Sequence, residues 1–131
     1  ECRPISENGA VKNTLAPRPD WPLFVYPDAT VVCDEPVYES IKGIDVLVNP
    51  TLVVEVISPT SAVRDVGDKF TIYTSNPAIR HYLLIESETV RVTHWFRDDT
   101  GTWVKEVHSD RDDVIRIERP PLELSLRRLY A

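Results

Sequence analysis

The sequence predicts an α/β fold in which a mixed β-sheet is flanked by helices. Several short segments rich in β-branched and aromatic residues, separated by Pro, Asn, Asp or Gly, are typical of strands. Among them lies one stretch, between Ser61 and Ser75, whose apolar residues recur every three or four positions, as in a helix packed on a sheet. Mixed strands around one good helix indicate a layered α/β or α+β sandwich.

Two predicted strands matter most for function. Leu52 to Ser58 is predicted as the central strand, because T-L-V-V-E-V-I is almost continuously apolar and β-branched, as in strands buried on both faces. Pro59 ends it, since proline cannot continue a ladder. Phe24 to Cys33 is predicted as a strand interrupted by Pro27, with ordered pairing only after Asp28.

The remaining segments are assigned in the same way. Asn76-Pro77 ends the helix, and the turn Asp98-Asp99-Thr100-Gly101 joins two strands as a hairpin. The other predicted elements are an edge strand around Ala10 to Lys12, an irregular loop over 34–48, strands at His81–Glu86, Val90–Arg97, Trp103–His108 and Val114–Ile117, and a helical turn at Ser125–Tyr130.

Length and composition set the domain organisation. With 131 residues, the chain is expected to form a single domain over 1–131 with a proper core. Because it has no methionine and begins at Glu1, we expect a fragment or processed piece that lacks an N-terminal portion of the domain. No apolar stretch approaches the roughly 18 residues of a membrane span, so no membrane association is expected.

Net charge and cysteine content limit the classes of function and the cell compartment that the sequence allows. The net charge of −6 argues mildly against a general nucleic-acid coat protein but not against a nuclease, whose metal-binding carboxylates make the count negative. Cys2 and Cys33 are too few for a disulfide scaffold and are expected to be free thiols, consistent with a cytoplasmic location.

Glu55 is the most informative residue, since it is the only charge in the central strand. An ionised carboxylate in such a place is unfavourable unless a cation, a metal or a set of donors accompanies it. Asp28 lies at the mouth of the preceding apolar strand. Taken singly, Asp28 suits a turn residue, and the alternative for Glu55 is a strand-end carboxylate that reaches solvent or a structural ion pair. Together the two carboxylates suit a divalent-metal site.

Lys69 is the third candidate. At about 100° per residue it falls at the edge of the helix face formed by Val66, Phe70 and Tyr73. A lysine there either extends to water or pairs with a carboxylate. Since the helix directly follows the strand carrying Glu55, these charged side chains can converge in a site suited to phosphodiester hydrolysis.

Other candidates are weaker. Asp65 is interpreted as a helix N-cap or salt-bridge partner. Ser58 is interpreted as a residue that marks the change from strand to loop, and Tyr73 as a core residue. The three histidines share no zinc-ligand spacing.

These residues carry a family resemblance. Pro27-Asp28 followed by Glu55-Val56-Ile57 resembles the motif of the PD-(D/E)XK nuclease superfamily, with Ile57 in place of its lysine. The segments Y-P-D-A-T-V-V-C-D-E-P, N-P-T-L-V-V-E-V-I-S-P-T and R-D-V-G-D-K-F-T-I-Y resemble the Uma-type restriction endonucleases, formerly a domain of unknown function. That family carries its lysine on the following helix, which matches Lys69.

The resemblance implies a restriction-endonuclease-like fold and a Mg²⁺-dependent DNA endonuclease, with Mn²⁺ as a possible substitute. Asp28, Glu55 and the Val56 carbonyl would bind the metal, and Lys69 would act beside them in catalysis. DNA is the expected partner, and a homo-oligomer, a dimer, the expected assembly. Two alternatives stay open: a non-catalytic assembly module that retains the fold, and a hydrolase of another phosphoester.

Overall fold

The computed structural model describes residues 1–5, 9–15, 20–61 and 63–131, with the side chains of 63–65 outside the description. Two sheets, a small hairpin and two helices make up these ranges. The elements are β1 (Arg3–Pro4), β2 (Ala10–Lys12), β3 (Phe24–Val25), β4 (Ala29–Val32), β5 (Tyr38–Ile41), β6 (Ile44–Leu47), β7 (Leu52–Ile57), α1 (Val63–Ser75), β8 (His81–Glu86), β9 (Val92–Arg97), β10 (Trp103–His108), β11 (Val114–Ile117), β12 (Leu122–Ser125) and α2 (Leu126–Leu129).

The larger sheet has the strand order β1-β4-β7-β8-β9-β10. Its strands pair antiparallel except β7 and β8, which run parallel and are joined through α1. Parallel neighbours need such a crossover, because a tight turn can only reverse the chain. The predicted central strand, helix and next strand therefore form one β-α-β unit.

The two faces of this sheet carry separate apolar clusters, because successive side chains of a strand point to opposite sides. On one face Val53 and Tyr82 pack with Ile72 and Tyr73 of α1. On the other face the cluster is formed by side chains of β7, β8 and β9 together with the β11–β12 hairpin and α2. Its buried members are Leu52, Leu83, Val92, Ile115, Ile117 and Leu126.

Helix α1 runs from Val63 to Ser75 and ends where Asn76-Pro77 was predicted to stop it. Asn76 closes the last turn by donating its main-chain N–H to the Tyr73 carbonyl at 3.2 Å. Among the described residues, no helix is both long enough and apolar enough to cross a membrane.

The segment 34–48 was predicted to be an irregular loop, and this prediction is wrong. It contains the hairpin β5–β6, which turns at Lys42 and Gly43 with φ of 52° and 79°. Positive φ at both positions is the geometry of a type I′ turn, whose twist suits a two-residue hairpin. Lysine at the first position hid the turn signal, since Asn or Asp is the usual residue there.

The predicted strand from Phe24 to Cys33 is in fact two strands in different sheets. β3 pairs with β2 in the smaller sheet, ordered β3-β2-β6-β5, while β4 joins the larger sheet. The chain crosses between them at Pro27, which has no N–H for a ladder. β2 was expected at an edge but lies between β3 and β6, and β12 was not predicted at all.

The two cysteines form a disulfide, so the expectation of free thiols is wrong. Arg3 of β1 pairs with Val32 of β4, which places Cys2 and Cys33 at the next antiparallel pair along the two strands. The two cysteines are 31 residues apart in sequence, and their bond joins the edge strand to the rest of the sheet. Sequence spacing could not reveal it, because only strand pairing brings the two sulfurs together.

Candidate active site

Glu55 lies in the interior of the protein, on the sheet face that α1 covers. It is 4% exposed, although it is only two residues from the end of β7. Its main-chain neighbour across the sheet is Leu84 of β8. The strand pattern buries this position, and the side chain must therefore find its partners inside the protein.

Two side chains of α1 supply those partners. The Tyr73 hydroxyl donates a 2.5 Å hydrogen bond to Glu55 Oε2. The Lys69 ammonium lies 3.4 Å from Oε2 and 3.5 Å from Oε1. Residues four apart lie on the same side of a helix, so one helix face delivers both donors to a single carboxylate.

Burial raises the pKa of the Glu55 carboxyl above its usual range. The Tyr73 hydrogen bond and the Lys69 charge act in the opposite direction, and the nearby negative charge of Asp28 raises the pKa further. The carboxyl group of Glu55 therefore lies in surroundings that disfavour its charged form.

Asp28 reaches the same end of β7 from the neighbouring strand. Its Oδ2 accepts a 2.7 Å hydrogen bond from the main-chain N–H of Val56, and its own N–H donates to the Val54 carbonyl at 2.9 Å. The N–H and C=O of one residue in an extended strand point to the same edge. The Val56 carbonyl therefore lies on the edge that faces Asp28.

Four sequence-predicted residues therefore meet at one place: Asp28, Glu55, Val56 and Lys69. Asp28 is exposed, Glu55 is buried and Lys69 is half-buried, so the group extends from solvent into the protein. A small cavity of about 70 Å³ adjoins it, lined by Glu55, Val56 and Lys69 among others.

The contact between Tyr73 and Glu55 was not predicted from the sequence. Tyr73 was interpreted as core, and it is fully buried, but its hydroxyl is also the shortest contact of Glu55. The available signal was its position one helical turn after Lys69. Ser58 contacts Ser61 and Thr60 in the turn after β7, and the side chain of Asp65 lies outside the described residues.

A larger cavity of about 900 Å³ lies on the opposite face of the sheet and contains none of these residues. It is lined by His81 and His94, whose ring nitrogens lie 2.9 Å apart in a hydrogen bond. In the described part of the chain, no three His, Cys, Asp or Glu side chains are grouped to hold a metal.

A family model described as "Uma2: Putative restriction endonuclease" matches residues 9–128. The chain belongs to the Uma2 family. This membership confirms the resemblance that the three sequence segments indicated. The description of that family names a restriction endonuclease, so family membership points to a nuclease as the class of protein.

Relatives of known sequence share part of the chain. Two proteins of Synechocystis sp. (strain ATCC 27184 / PCC 6803 / Kazusa), described as uncharacterized proteins slr1290 and sll1609, are 36% and 33% identical to it over 81 residues. The match covers 62% of this chain and 41% and 45% of the two relatives. The chain thus spans less than half the length of these curated relatives.

A solved structure supports the same fold. The crystal structure of "a putative nuclease belonging to DUF820" from Anabaena variabilis ATCC 29413 matches with a TM-score of 0.72. The match covers 98% of this chain and 68% of that one, at 17% identity. The predicted restriction-endonuclease-like α/β fold is confirmed, as a mixed sheet with few helices.

Proposed function

We propose that the protein is a Mg²⁺-dependent endonuclease that hydrolyses phosphodiester bonds of DNA. One observation carries the proposal: the carboxylates of Asp28 and Glu55 occupy the same end of β7, and the Lys69 ammonium lies 3.4 Å from Glu55. Like charges are brought together in a protein at some energetic loss, which a bound cation offsets.

The donor set fits magnesium. Mg²⁺ takes oxygen ligands, keeps several waters and is usually held by one or two carboxylates. Asp28, Glu55 and the Val56 carbonyl would supply such a set, and the exposure of Asp28 would leave the metal open to water. When bound, Mg²⁺ supplies Lewis-acid polarisation of the phosphate and lowers the pKa of a water ligand.

The remaining chemistry belongs to Lys69. Its side chain is 29% exposed, so the ammonium can reach both the Glu55 carboxylate and the space in front of the site. From there it can orient the attacking water or stabilise the negative charge that grows on the phosphate oxygens. The superfamily places a lysine at the position of Ile57, and here the helix provides the charge instead.

The test combines two measurements: calorimetric titration of the protein with Mn²⁺, and a plasmid-nicking assay. Glu55→Ala is expected to abolish both Mn²⁺ binding and nicking, whereas Lys69→Met keeps Mn²⁺ binding but nicks roughly 100-fold more slowly. Glu123→Gln is the matched control, because Glu123 pairs with Arg116 on the exposed β11–β12 hairpin. Undiminished nicking by Glu55→Ala contradicts the assignment.

The same preparations separate the alternatives. Hydrolysis of a small phosphodiester such as bis(p-nitrophenyl) phosphate without plasmid nicking indicates another phosphoester as substrate. A protein that binds neither Mn²⁺ nor DNA indicates the non-catalytic module.

A further inference from the structure

Tyr73 contacts the site from the protein interior. Its side chain has no exposure, and its ring packs 5.1 Å from that of Tyr82 in the cluster between α1 and the sheet. This packing fixes the ring, so the hydroxyl has one direction available, towards Glu55 Oε2 at 2.5 Å. Tyr73 therefore acts as a rigid donor rather than a mobile one.

The two donors to Glu55 differ in kind. Lys69 has a flexible stem, lies at the solvent side and contacts both carboxylate oxygens at 3.4 to 3.5 Å. Tyr73 donates to one oxygen, Oε2, from the protein interior and at a much shorter distance. A neutral hydroxyl also fixes a carboxylate without adding a positive charge that would compete with a metal.

We propose that Tyr73 is a positioning residue, whose hydroxyl holds the Glu55 carboxylate in the orientation that binds the metal. This inference rests on the proposed function for its catalytic meaning, since the orientation matters only if Glu55 is a ligand. Its geometric content is independent: without the hydroxyl, the buried carboxylate loses its closest donor and turns towards Lys69 and solvent.

The Tyr73 hydroxyl is the donor of this contact, and Glu55 Oε2 is the acceptor. Its hydrogen is therefore directed at the carboxylate, and the hydroxyl acts on the site through Glu55.

The test compares two tyrosine variants by Mn²⁺ calorimetry. Tyr73→Phe keeps the ring and removes only the hydroxyl, and we expect its Mn²⁺ affinity to fall 10- to 100-fold, as is typical when a group that orients a metal ligand is removed. Tyr130→Phe is the control, because the Tyr130 hydroxyl donates at 2.6 Å to the Glu86 carbonyl. It should lose comparable thermal stability and keep wild-type affinity.

A crystal structure of metal-free Tyr73→Phe gives a second readout that needs no metal. The expected result is a Glu55 carboxylate rotated away from its wild-type orientation. An unmoved carboxylate, or an unchanged Mn²⁺ affinity beside a wild type that binds Mn²⁺, overturns the inference. A wild type that binds no Mn²⁺ overturns the proposed function instead, and the carboxylate orientation alone then decides the role of Tyr73.

Discussion

At the scale of single residues, the candidate site contains Glu55, a side chain whose buried charge destabilises the strand that carries it. Glu55 was predictable because an acid inside an apolar run contradicts the strand pattern, and Lys69 because it lies at the edge of an apolar helix face. Tyr73 was not predictable in the same way. A tyrosine at a core position already satisfies the pattern, and only the rotation of α1 on the sheet decides where its hydroxyl points.

Replacing Glu55 by glutamine should stabilise the protein while removing metal binding. The amide keeps the shape of the side chain and still accepts the Tyr73 hydrogen bond, but it has no charge to desolvate. We expect the free energy of unfolding to rise by roughly 1 kcal/mol at pH 8. Urea denaturation of the wild type and Glu55→Gln measures the difference.

This gain should depend on pH in a defined direction. Because folding raises the pKa of Glu55 above its ordinary 4.5, the native state favours the protonated carboxyl. The contribution of Glu55 to stability is therefore fully present below pH 4.5 and is lost as the pH rises through the folded pKa. The advantage of Glu55→Gln should vanish at low pH, and a variant less stable than wild type at pH 8 contradicts the prediction.

At the scale of elements, the end of α1 is held by a residue from another element. The last turn of α1 contains no basic residue. Arg97 of β9 supplies the positive charge there, donating to the Thr74 carbonyl of α1 at 3.3 Å and to the Asn76 carbonyl just beyond the helix at 3.1 Å. Its guanidinium also lies 4.4 Å from the ring centroid of Trp103. The helix that presents Lys69 and Tyr73 is thus fixed to the sheet at its C-terminus.

Arg97→Lys should destabilise the protein although the charge is kept. An ammonium cannot reproduce the fork of donors or stack on Trp103, so the carbonyls at the helix end lose partners. We expect a loss of about 2 kcal/mol in the free energy of unfolding, measured by urea denaturation. In Arg127→Lys, where the replaced group forms an exposed ion pair with Asp112, the change should stay within about 0.5 kcal/mol. Equal losses in the two variants would exclude a special role for Arg97.

The strands that sequence reasoning placed correctly are those with strong local patterns. β8, β10 and β11 have the predicted bounds because apolar residues and clear turns define them. The β5–β6 hairpin was missed since Tyr38, Glu39 and Ser40 are exposed and show no apolar alternation. Within this hairpin, β6 pairs with β2, which is distant in the chain. This pairing makes the segment a strand, whereas its local propensity does not.

At the scale of the whole molecule, the two faces of the larger sheet respond to pH in opposite ways. On the face away from α1, His81 and His94 are hydrogen-bonded in the large cavity. Burial lowers the pKa of each imidazole to about 4, with Arg80 adding to the effect at His81 and His81 adding to it at His94. These rings are neutral at pH 7.

Acid should therefore destabilise the protein through this pair. An imidazole whose pKa falls on folding, from 6.5 to about 4 at His94, contributes stability that is present above pH 6.5 and lost as the pH falls towards 4. Between pH 7 and pH 5 the loss should be on the order of 2 kcal/mol for His94. His94→Gln should show a correspondingly smaller drop in urea denaturation, and an identical drop in the two proteins contradicts the prediction.

The sequence by itself determined the local elements and the family, and it singled out the candidate site residues: the acid in the central strand, the Pro-Asp pair and the lysine of the helix. These are local patterns, set by residue type and by periods of two and 3.6. The tertiary structure decided the disulfide, the second sheet and the hydrogen bond from Tyr73 to Glu55. Each of these joins residues far apart in the chain, and their distance depends on how strands pair and how a helix settles on a sheet.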